Sequence, residues 1–406
     1  MTTVIVGGGI VGVTAALYLL KKGAKVILVE KCDVACHSSG KAGGFLTDGD
    51  SGWHSGSIGR LAKRSFALHG ELAKELGAEK IGFRRVKCLG LGSAEKPEAG
   101  EAGEAGSPQP TWLAKEYQRD MGNESGLAQV TPYKLMEALR EAITKQGCEI
   151  VIAKAVGVEV DEDKVKSVKL QMLGKTSSIS CNAVILSMGV WASEAAAWFP
   201  ESTLPRSTVG SRYTSVIWDD SGVGRDATMV FTMGDEHTEI YPRSNECYAN
   251  GCPRQLELPD DPLEIHPPAE EIEKVKVESI AAVPRLKDAI VIRSTACFLA
   301  GSDDNRPVVG RVPKTSNAII ACGGGCWGIL NGPAMGEAAA ALALGEEPPI
   351  DMGAFDPMRF DSSYVPTVAK DLPPKLMALV AQNPDLAEAL RQDPERIMSI
   401  LAMMQD

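Results

Sequence analysis

The stretch that decides the fold stands at the start of the chain and reads Thr2-Thr-Val-Ile-Val-Gly-Gly-Gly-Ile-Val-Gly12. The β-branched residues at 2–6 predict a short buried strand, and small and apolar residues from about Val11 to Lys22 predict a helix. A second apolar run at 25–29 predicts another buried strand, which Glu30 follows. A strand, a glycine-rich turn, a helix and a strand in this order predict a βαβ unit, and therefore a parallel sheet covered by helices.

The turn in this unit fits the pattern G-x-G-x-x-G of a dinucleotide cradle. Gly7 permits the tight turn, Gly9 lets backbone amides approach a pyrophosphate, and Gly12 lets the helix pack closely on the strand. The start of the helix adds free N–H groups and partial positive charge, and Glu30 can accept hydrogen bonds from ribose hydroxyls. The predicted cradle consists of Gly7, Gly9, Ile10, Val11, Gly12, Glu30 and Lys31.

The residues after Glu30 favour FAD over a nicotinamide dinucleotide. They read Ala35-Cys-His-Ser-Ser-Gly-Lys-Ala-Gly-Gly-Phe45. Small residues let the backbone approach a flat ring, and the hydroxyls offer donors to phosphates and ring carbonyls, whereas a nicotinamide-dependent dehydrogenase does not need this loop here. The loop residues predicted to contact the cofactor are Ser38, Ser39, Lys41, Ala42, Gly43 and Gly44.

At these residues the sequence resembles the D-amino-acid oxidase family of FAD-dependent oxidoreductases, which includes glycine oxidase and sarcosine oxidase. The likeness continues at 126–135, at 183–192 and at 307–336. In the family, the second of these segments lies near the adenosine and the third closes around the flavin ring. The resemblance therefore adds to the predicted cofactor site Met188, Gly189, Trp191, Gly328, Ile329 and Leu330.

The third segment has a rival interpretation, because Gly323, Gly325 and Gly328 also satisfy G-x-G-x-x-G after a strand. No second strand carrying an acidic residue follows, so a second nucleotide site is not favoured. We instead expect the start of a helix that faces the flavin pyrimidine, where an anionic reduced ring needs positive potential.

The predicted fold is α/β: a doubly wound, Rossmann-like domain that binds FAD, interleaved with an α+β domain whose antiparallel sheet binds substrate. We assign residues 1–80, 125–205 and 301–350 to the first domain, 81–124 and 206–300 to the second, and 371–406 to a helical C-terminal tail. Further predicted elements are helices at Ser57–Leu76, Pro132–Gln146 and Pro333–Leu344, strands near 149–160, 165–172, 183–187 and 318–322, and a surface loop at 92–110.

The resemblance implies oxidation of a CH–NH bond of a small amine or amino-acid derivative, with oxygen or an electron carrier as acceptor. Two residues depart from the family pattern. Leu299 stands where glycine oxidase has a carboxylate-binding arginine, and Leu330 stands where monomeric sarcosine oxidases have a lysine. Arg60, Arg64 or Arg243 could take over this role, or be ordinary surface arginines.

The candidate catalytic residues are Tyr241, Arg243 and Trp327. Tyr241 and Trp327 are equally consistent with an ordinary strand tyrosine and an ordinary core tryptophan. Cys297 aligns with a cysteine that holds the flavin covalently in monomeric sarcosine oxidases, so a thioether and a buried free thiol are the alternatives, and we expect FAD to be non-covalent. His37 is expected to be an ordinary loop residue, since the family's linking histidine aligns with Lys41.

The composition of the chain argues against several other classes of function. The chain has 406 residues and a net charge of −11, which argues against binding a nucleic-acid backbone. No apolar run reaches the length of about 18 residues expected of a membrane span, and because the chain opens directly on a strand, we expect no signal peptide. Ten cysteines without a C-x-x-C pair predict free thiols, no metal site and a reducing, cytoplasmic location.

The tail at 371–406 predicts short helices that begin at Asn-Pro and Asp-Pro. It is similar to the DP-type helical repeats of co-chaperones, so it could contact an apolar peptide or a chaperone, or pack on its own domain. Two alternatives to amine oxidation stay open: a flavin-stabilised adaptor with little turnover, and FAD-dependent oxidation of a C–O bond.

Overall fold

The computed structural model describes residues 1–92, 110–114, 117–220, 227–232 and 236–361. Most of the predicted surface loop at 92–110 and all of the predicted tail at 371–406 lie outside these ranges. The helices within them are α1 Ile10–Lys21, α2 Ser38–Lys41, α3 Gly56–Leu76, α4 Ala78–Ile81, α5 Pro132–Lys145, α6 Ala195–Trp198, α7 Ala269–Ala282 and α8 Gly328–Leu344.

The strands form four sheets. They are β1 Thr2–Val6, β2 Lys25–Glu30, β3 Phe45–Thr47, β4 Arg84–Arg85, β5 Lys87–Gly92, β6 Tyr117–Gly122, β7 Leu127–Gln129, β8 Glu149–Ile152, β9 Lys154–Asp161, β10 Lys164–Met172, β11 Lys175–Ser180, β12 Ala183–Leu186, β13 Val209–Asp219, β14 Thr228–Thr232, β15 Glu239–Pro242, β16 Glu246–Arg254, β17 Ile290–Ala300, β18 Val308–Arg311 and β19 Ala318–Cys322.

The first sheet has the order β18-β19-β12-β1-β2-β8 and is parallel except for β18. It contains the predicted βαβ unit, so the predicted parallel sheet is confirmed. Alternate residues of its strands enter two separate cores. Ile5 and Leu28 pack against the helical layer that contains α1, α5 and α8, whereas Val4 and Val29 face the small antiparallel sheet β11-β10-β9 and α6. The second face is therefore covered mainly by strands, not by the helices that were expected.

The largest sheet has seven strands in the order β17-β13-β16-β15-β14-β5-β6, antiparallel except for the parallel pair β14 and β5. Successive residues of its strands again point to opposite faces of the sheet. Trp218 and Ile240 pack with Val275 of α7, whereas Ile217 and Tyr241 face the other way. The predicted antiparallel sheet is thus confirmed, while α7 was missed because the whole segment was interpreted as strands.

Helix α8 begins at Gly328, five residues before the predicted start at Pro333. Proline cannot donate the usual hydrogen bond to the carbonyl four residues earlier, which here is Ile329 O. His69 Nε2 from α3 lies 2.9 Å from this oxygen and replaces the missing donor. The helix therefore continues through Pro333, and its first turn lies nearer to the glycine turn than the sequence predicted.

The prediction that all cysteines are free is wrong for one pair, since Cys32 and Cys36 form a disulfide. The turn that follows Glu30 includes Ala35 at φ 62° and brings the two Cα atoms to 6.6 Å, close enough for a bridge across three residues. The other eight cysteines are free thiols. None of the described helices combines the length and apolar character needed to cross a bilayer.

Candidate active site

A cavity of about 340 Å³ lies between the carboxyl ends of the parallel strands and one face of the seven-stranded sheet. Gly7, Glu30, Ser187 and Cys322 line it where β1, β2, β12 and β19 end. Ligands of open α/β sheets bind at this edge because loops and helix N-termini converge there. The cavity therefore has the position expected for a dinucleotide.

In the predicted cradle, helix α1 and the glycine turn approach each other so closely that only glycine fits between them. A Cβ atom on Gly12 would lie 2.0 Å from the carbonyl oxygen of Gly7, so no other residue allows α1 to pack on the turn in this way. Gly9 caps α1 without a side-chain hydrogen bond, and the Ile10 N–H donates to Ser39 Oγ at 3.0 Å. Gly9, Ile10 and Val11 also line the cavity, so the positive end of helix α1 is directed toward it, as a diphosphate requires.

Glu30 ends β2 beside this turn. Its Oε2 accepts a hydrogen bond from the Gly8 N–H at 2.6 Å, and its Oε1 accepts one from the Cys32 N–H at 3.2 Å. Burial raises the pKa of Glu30, and these N–H donors oppose that change. The carboxylate is therefore held in one orientation at the cavity wall, where ribose hydroxyls can reach it.

The predicted flavin loop is held between the two large sheets. Ser38 Oγ donates to the Phe298 carbonyl at 2.7 Å, and Lys41 Nζ donates to the Ala296 carbonyl at 3.0 Å. Tyr248 OH donates to the Lys41 carbonyl at 2.9 Å. These bonds attach the loop to β16 and β17. Because the Lys41 ammonium donates to a backbone carbonyl, it stabilises the protein's own structure.

Gly43 and Tyr241 touch across the cavity wall. A Cβ atom on Gly43 would lie 2.8 Å from two ring atoms of Tyr241, so the loop and the ring are in direct contact. Tyr241 is buried and lines the cavity together with Gly43. The candidate catalytic tyrosine is therefore placed against the loop predicted to contact the flavin ring.

The structure brings most of the predicted site residues to the cavity and keeps four away from its wall. Gly12 packs behind the turn, Lys41 is turned toward β17, Leu330 is fully buried in the helical core, and Arg243 lies behind the loop. The predicted residues that line the cavity are Gly7, Gly9, Ile10, Val11, Glu30, Lys31, Ser38, Ser39, Ala42, Gly43, Gly44, Met188, Gly189, Trp191, Tyr241, Trp327, Gly328 and Ile329.

Arg243 has a different environment from the one predicted. Its guanidinium donates to the carbonyls of Ala42 and Gly43, each at 3.0 Å, and pairs with Glu246 at 2.6 Å. The side chain is 3% exposed and stacks over Tyr248 at 4.6 Å. Both of its terminal nitrogens are directed at these partners and Arg243 does not line the cavity, so it supports the loop and is not directed at a substrate.

The other two arginines proposed for a substrate carboxylate are also remote. Arg64 forms a two-point interaction with Glu337 of α8, at 2.9 Å and 2.5 Å. Arg60 is exposed on α3, and neither residue is among those that line the cavity. In the part of the chain that the structure describes, no arginine replaces the family's carboxylate ligand.

Sequence reasoning missed most of the wall formed by the seven-stranded sheet. Residues two apart on a strand point to the same face, and directly paired residues share that face. Pairing of Glu239 with Asn250 and of Tyr241 with Tyr248 therefore places four polar side chains side by side. The sheet residues that line the cavity are Tyr213, Phe231, Glu239, Tyr241, Tyr248, Asn250, Cys297 and Leu299.

An aromatic cluster borders this wall. Phe45 lies 5.1 Å from Trp53, 5.6 Å from Trp327 and 5.7 Å from Phe231, measured between ring centroids. Phe231 in turn lies 6.1 Å from Tyr241. Trp327 is therefore part of a group of rings that all line the cavity, and not a core residue apart from it.

Glu239 brings a carboxyl group into this apolar part of the wall. Tyr241 OH donates a hydrogen bond to Glu239 Oε2. Burial raises the pKa of Glu239, and the donors from Tyr241 and Asn250 oppose that change. Raised carboxyl pKa values in a cavity are characteristic of functional sites, because burial shifts a group toward the pH at which it exchanges a proton.

His37 lies in the turn before α2, as expected of a loop residue, but its surroundings are not those of an exposed loop. It is 8% exposed, lines the cavity, and lies edge-on to Trp191 at 5.0 Å. Its Nδ1 is 2.8 Å from Ser38 Oγ. Burial lowers the pKa of His37 to about 3, so the imidazole is neutral at physiological pH. The sequence did not indicate this burial, because His37 lies in a turn, where apolar residues have no helical or strand periodicity.

Cys297 lines the cavity as a buried free thiol. Burial raises the pKa of its thiol to about 11, against the opposing charge of Lys41. A thioether forms from the thiolate, which is scarce at this pKa. This environment favours the non-covalent alternative among the two that the sequence left open.

The comparisons with known proteins agree with this geometry. A family model described as FAD dependent oxidoreductase matches residues 2–342. Glycine oxidase of Bacillus subtilis (strain 168) is 25% identical over 374 residues, which cover 85% of this chain and 93% of the relative. Mitochondrial dimethylglycine dehydrogenase of Rattus norvegicus is 24% identical over 399 residues, which cover 88% of this chain and 44% of the relative.

A solved structure has the same fold. The crystal structure of iminodiacetate oxidase from Chelativorans sp. BNC1 matches with a TM-score of 0.73 at 19% identity, and the match covers 87% of this chain and 98% of that one. The family model spans most of the chain, and the cradle, the flavin loop and the closing turn all line one cavity. The family predicted from the sequence is confirmed: this chain belongs to the D-amino-acid oxidase family of FAD-dependent oxidoreductases, and FAD is its cofactor.

Proposed function

We propose that this oxidoreductase oxidises a CH–NH bond of a small amine or amino-acid derivative. The observation that carries the proposal is the continuity of the cavity. One wall begins at the dinucleotide cradle and runs through the loop at 42–44, and the facing wall is an aromatic and carboxyl-bearing sheet face. A flavin bound along the first wall would present its ring to a substrate held on the second.

The relatives support the same class of reaction. Their names describe the oxidation of glycine, dimethylglycine and iminodiacetate, in which the oxidised carbon is bonded to nitrogen. When bound, FAD supplies an acceptor for a hydride. The protein then needs to orient the substrate, exclude water from the site and accept or donate protons. Oxygen or an electron carrier is the expected second substrate.

The residues of this chain have separate parts in this function. Backbone amides at the start of α1 and the Glu30 carboxylate would hold the ADP half of FAD. The first turn of α8, from Gly328, would place the positive end of a helix beside the ring. Tyr241 and Trp327 would lie against the substrate, and the buried ring of Phe45 and the half-buried ring of Phe231 beside them would limit the access of water.

The test is an absorption spectrum of the purified protein, followed by anaerobic titration with a panel of amines, amino acids and alcohols. We expect a bound flavin whose visible band bleaches on addition of at least one amine or amino acid. A flavin that only alcohols reduce would establish the C–O alternative. A bound flavin that no compound in the panel reduces would overturn amine oxidation and favour the adaptor.

A further inference from the structure

We infer that the substrate is a cationic, N-alkylated amine without a carboxylate on the oxidised carbon, held between Glu239 and the aromatic cluster of Phe45, Trp53, Phe231, Tyr241 and Trp327. This inference rests on the proposed function, and it names the substrate class for which this site is built. An amino-acid site binds a negatively charged carboxylate, whereas the wall of this cavity would bind a positively charged group.

The charges on the cavity wall are the first argument. Lys31 and Lys154 follow β2 and β8, which pair at Glu30, and Glu194 follows β12, so these charges belong to the parallel-sheet side of the cavity, where the adenosine would bind; Lys31 Nζ donates to the Asp260 carbonyl. His37 is neutral because burial lowers its pKa to about 3. Among the described residues that form the sheet wall, Glu239 is therefore the charged group. A wall with one carboxylate attracts a cation.

The missing carboxylate ligands are the second argument. Leu299 lines the cavity at the position of the family's arginine, and Leu330 is buried in the helical core. Arg64, Arg243 and Lys41 are directed at protein oxygens. A substrate carboxylate would therefore enter without a cationic partner and would be repelled by Glu239. Burial of an unpaired charge is costly, so this wall selects against amino acids.

The aromatic cluster is the third argument. Cations bind over aromatic faces, and alkylated ammonium groups do so with little loss of hydration. Phe231 lies 6.1 Å from the Tyr241 ring, whose hydroxyl donates to Glu239, so rings and carboxylate border the same space. A secondary or tertiary amine matches this combination, because its alkyl groups contact the rings while its N–H donates to the carboxylate.

Glu239 also supplies the proton step that such a substrate needs. Hydride can leave only from the carbon next to a neutral nitrogen. The substrate N–H bond breaks, the proton binds a Glu239 oxygen, and the nitrogen keeps the electron pair. The C–H bond then breaks with its electrons, which pass to the FAD that the proposed function supplies, and a C=N iminium remains for hydrolysis by water.

The experiment compares N-methylbutylamine with N-methylnorvaline, which differs only by a carboxylate on the chain carbon bonded to nitrogen. Flavin reduction is followed anaerobically in the holoenzyme. Binding is measured separately with butyltrimethylammonium, which has no N–H to lose, through the change in flavin absorbance. We expect the wild type to prefer the amine and to bind the quaternary cation.

Glu239→Gln retains the shape of the side chain and removes its charge. We expect it to weaken cation binding at least about tenfold, since the partner of a buried charge is lost. Glu270→Gln is the matched control, because Glu270 is 78% exposed on α7, across the sheet from the cavity, and it should bind the cation like wild type. Leu299→Arg added to Glu239→Gln should reverse the preference toward N-methylnorvaline.

The outcomes separate the two proposals. Reduction by N-methylnorvaline in preference to the amine would overturn the cationic site while amine oxidation stands, as would unchanged cation binding in Glu239→Gln with normal flavin content. If neither compound nor any other amine or amino acid reduces the flavin, the proposed function itself fails.

Discussion

The cradle around Gly7 and Gly12 is made by the backbone of one continuous stretch of chain, whereas the facing wall is made by side chains from five strands between residues 213 and 299. The cradle binds a cofactor shared by the whole family. Its close backbone contacts allow few other residue types at these positions. The sheet wall is formed by side chains, which can differ while the backbone hydrogen bonds between the strands are retained. The comparison suggests that backbone fixes the cofactor and that side chains on the sheet select the substrate.

The largest effect that this comparison predicts is at Gly12. Gly12→Ala places a methyl group where only 2.0 Å separates it from the Gly7 oxygen, so the turn must open and its amides leave the diphosphate. We expect FAD affinity to fall at least about a hundredfold, comparable to losing several charge-assisted hydrogen bonds. FAD content after gel filtration measures this.

Gly70→Ala is the control for that substitution. Gly70 lies inside α3 with no atom near its missing Cβ, so alanine should keep FAD and favour the helix. Normal FAD affinity in Gly12→Ala would contradict the division between backbone and side-chain roles.

A second effect concerns pH and sharpens the role of the sheet wall. Burial raises the pKa of Glu239, so the ionised form that binds a cation is lost as pH falls through that raised value. We expect kcat/KM for the amine to drop about tenfold per pH unit on this acid limb. The limb should vanish in Glu239→Gln. The titratable groups near Glu239 are Tyr241 on its own strand and Tyr213, Tyr248, Cys88 and Cys326 on neighbouring parts of the chain.

Burial raises the pKa of each of these neighbours as well, so none of them ionises on the acid side of neutrality. An acid limb that persists unchanged in Glu239→Gln would assign it to another group and remove Glu239 from the proton step. The measurement is a pH profile of anaerobic flavin reduction at low amine concentration.

A smaller effect tests whether the two walls are independent. Arg243→Lys keeps a positive charge, but its single nitrogen cannot replace both Nη2, which donates to the Ala42 and Gly43 carbonyls, and Nη1, which pairs with Glu246. We expect FAD to bind about tenfold more weakly, through loss of hydrogen bonds to a charged group, with little change in preference between amine and amino acid. Unaltered FAD affinity would show that the loop holds its shape without Arg243.

The smallest expected effect is at Cys297. If the backbone cradle retains FAD without a covalent bond, Cys297→Ser should carry as much flavin as wild type, and acid precipitation should release it from both proteins. Yellow colour that stays with the wild-type pellet but not with the variant would instead establish a thioether and make the sheet wall part of cofactor binding.

The cradle could be predicted from sequence because its signal is local. Gly7, Gly12 and Glu30 lie within one βαβ unit, and each has a reason that depends only on its near neighbours. The closing turn at 323–328 was recognised for the same reason, through its likeness to the family. Residues of both segments line one cavity.

The sheet wall could not be predicted in this way. Glu239 and Asn250 meet because β15 and β16 pair in one register, and nothing local to either residue states that register. The start of α8 was misplaced because the donor that makes Pro333 acceptable is His69, far away in sequence. Arg243 was misassigned because an arginine beside a candidate tyrosine suggests a ligand, while its carbonyl partners lie about two hundred residues earlier.

The flavin loop has a consequence for how the protein reaches its working state. Ser38 bonds to Phe298 across 260 residues, and Arg243 bonds to Ala42 across 201. Contacts of such long range form late in folding, since a large loop of chain must close first. FAD would then be captured only by nearly complete molecules, so the vitamin supply during synthesis would govern how much of the protein survives, as well as how much of it is active.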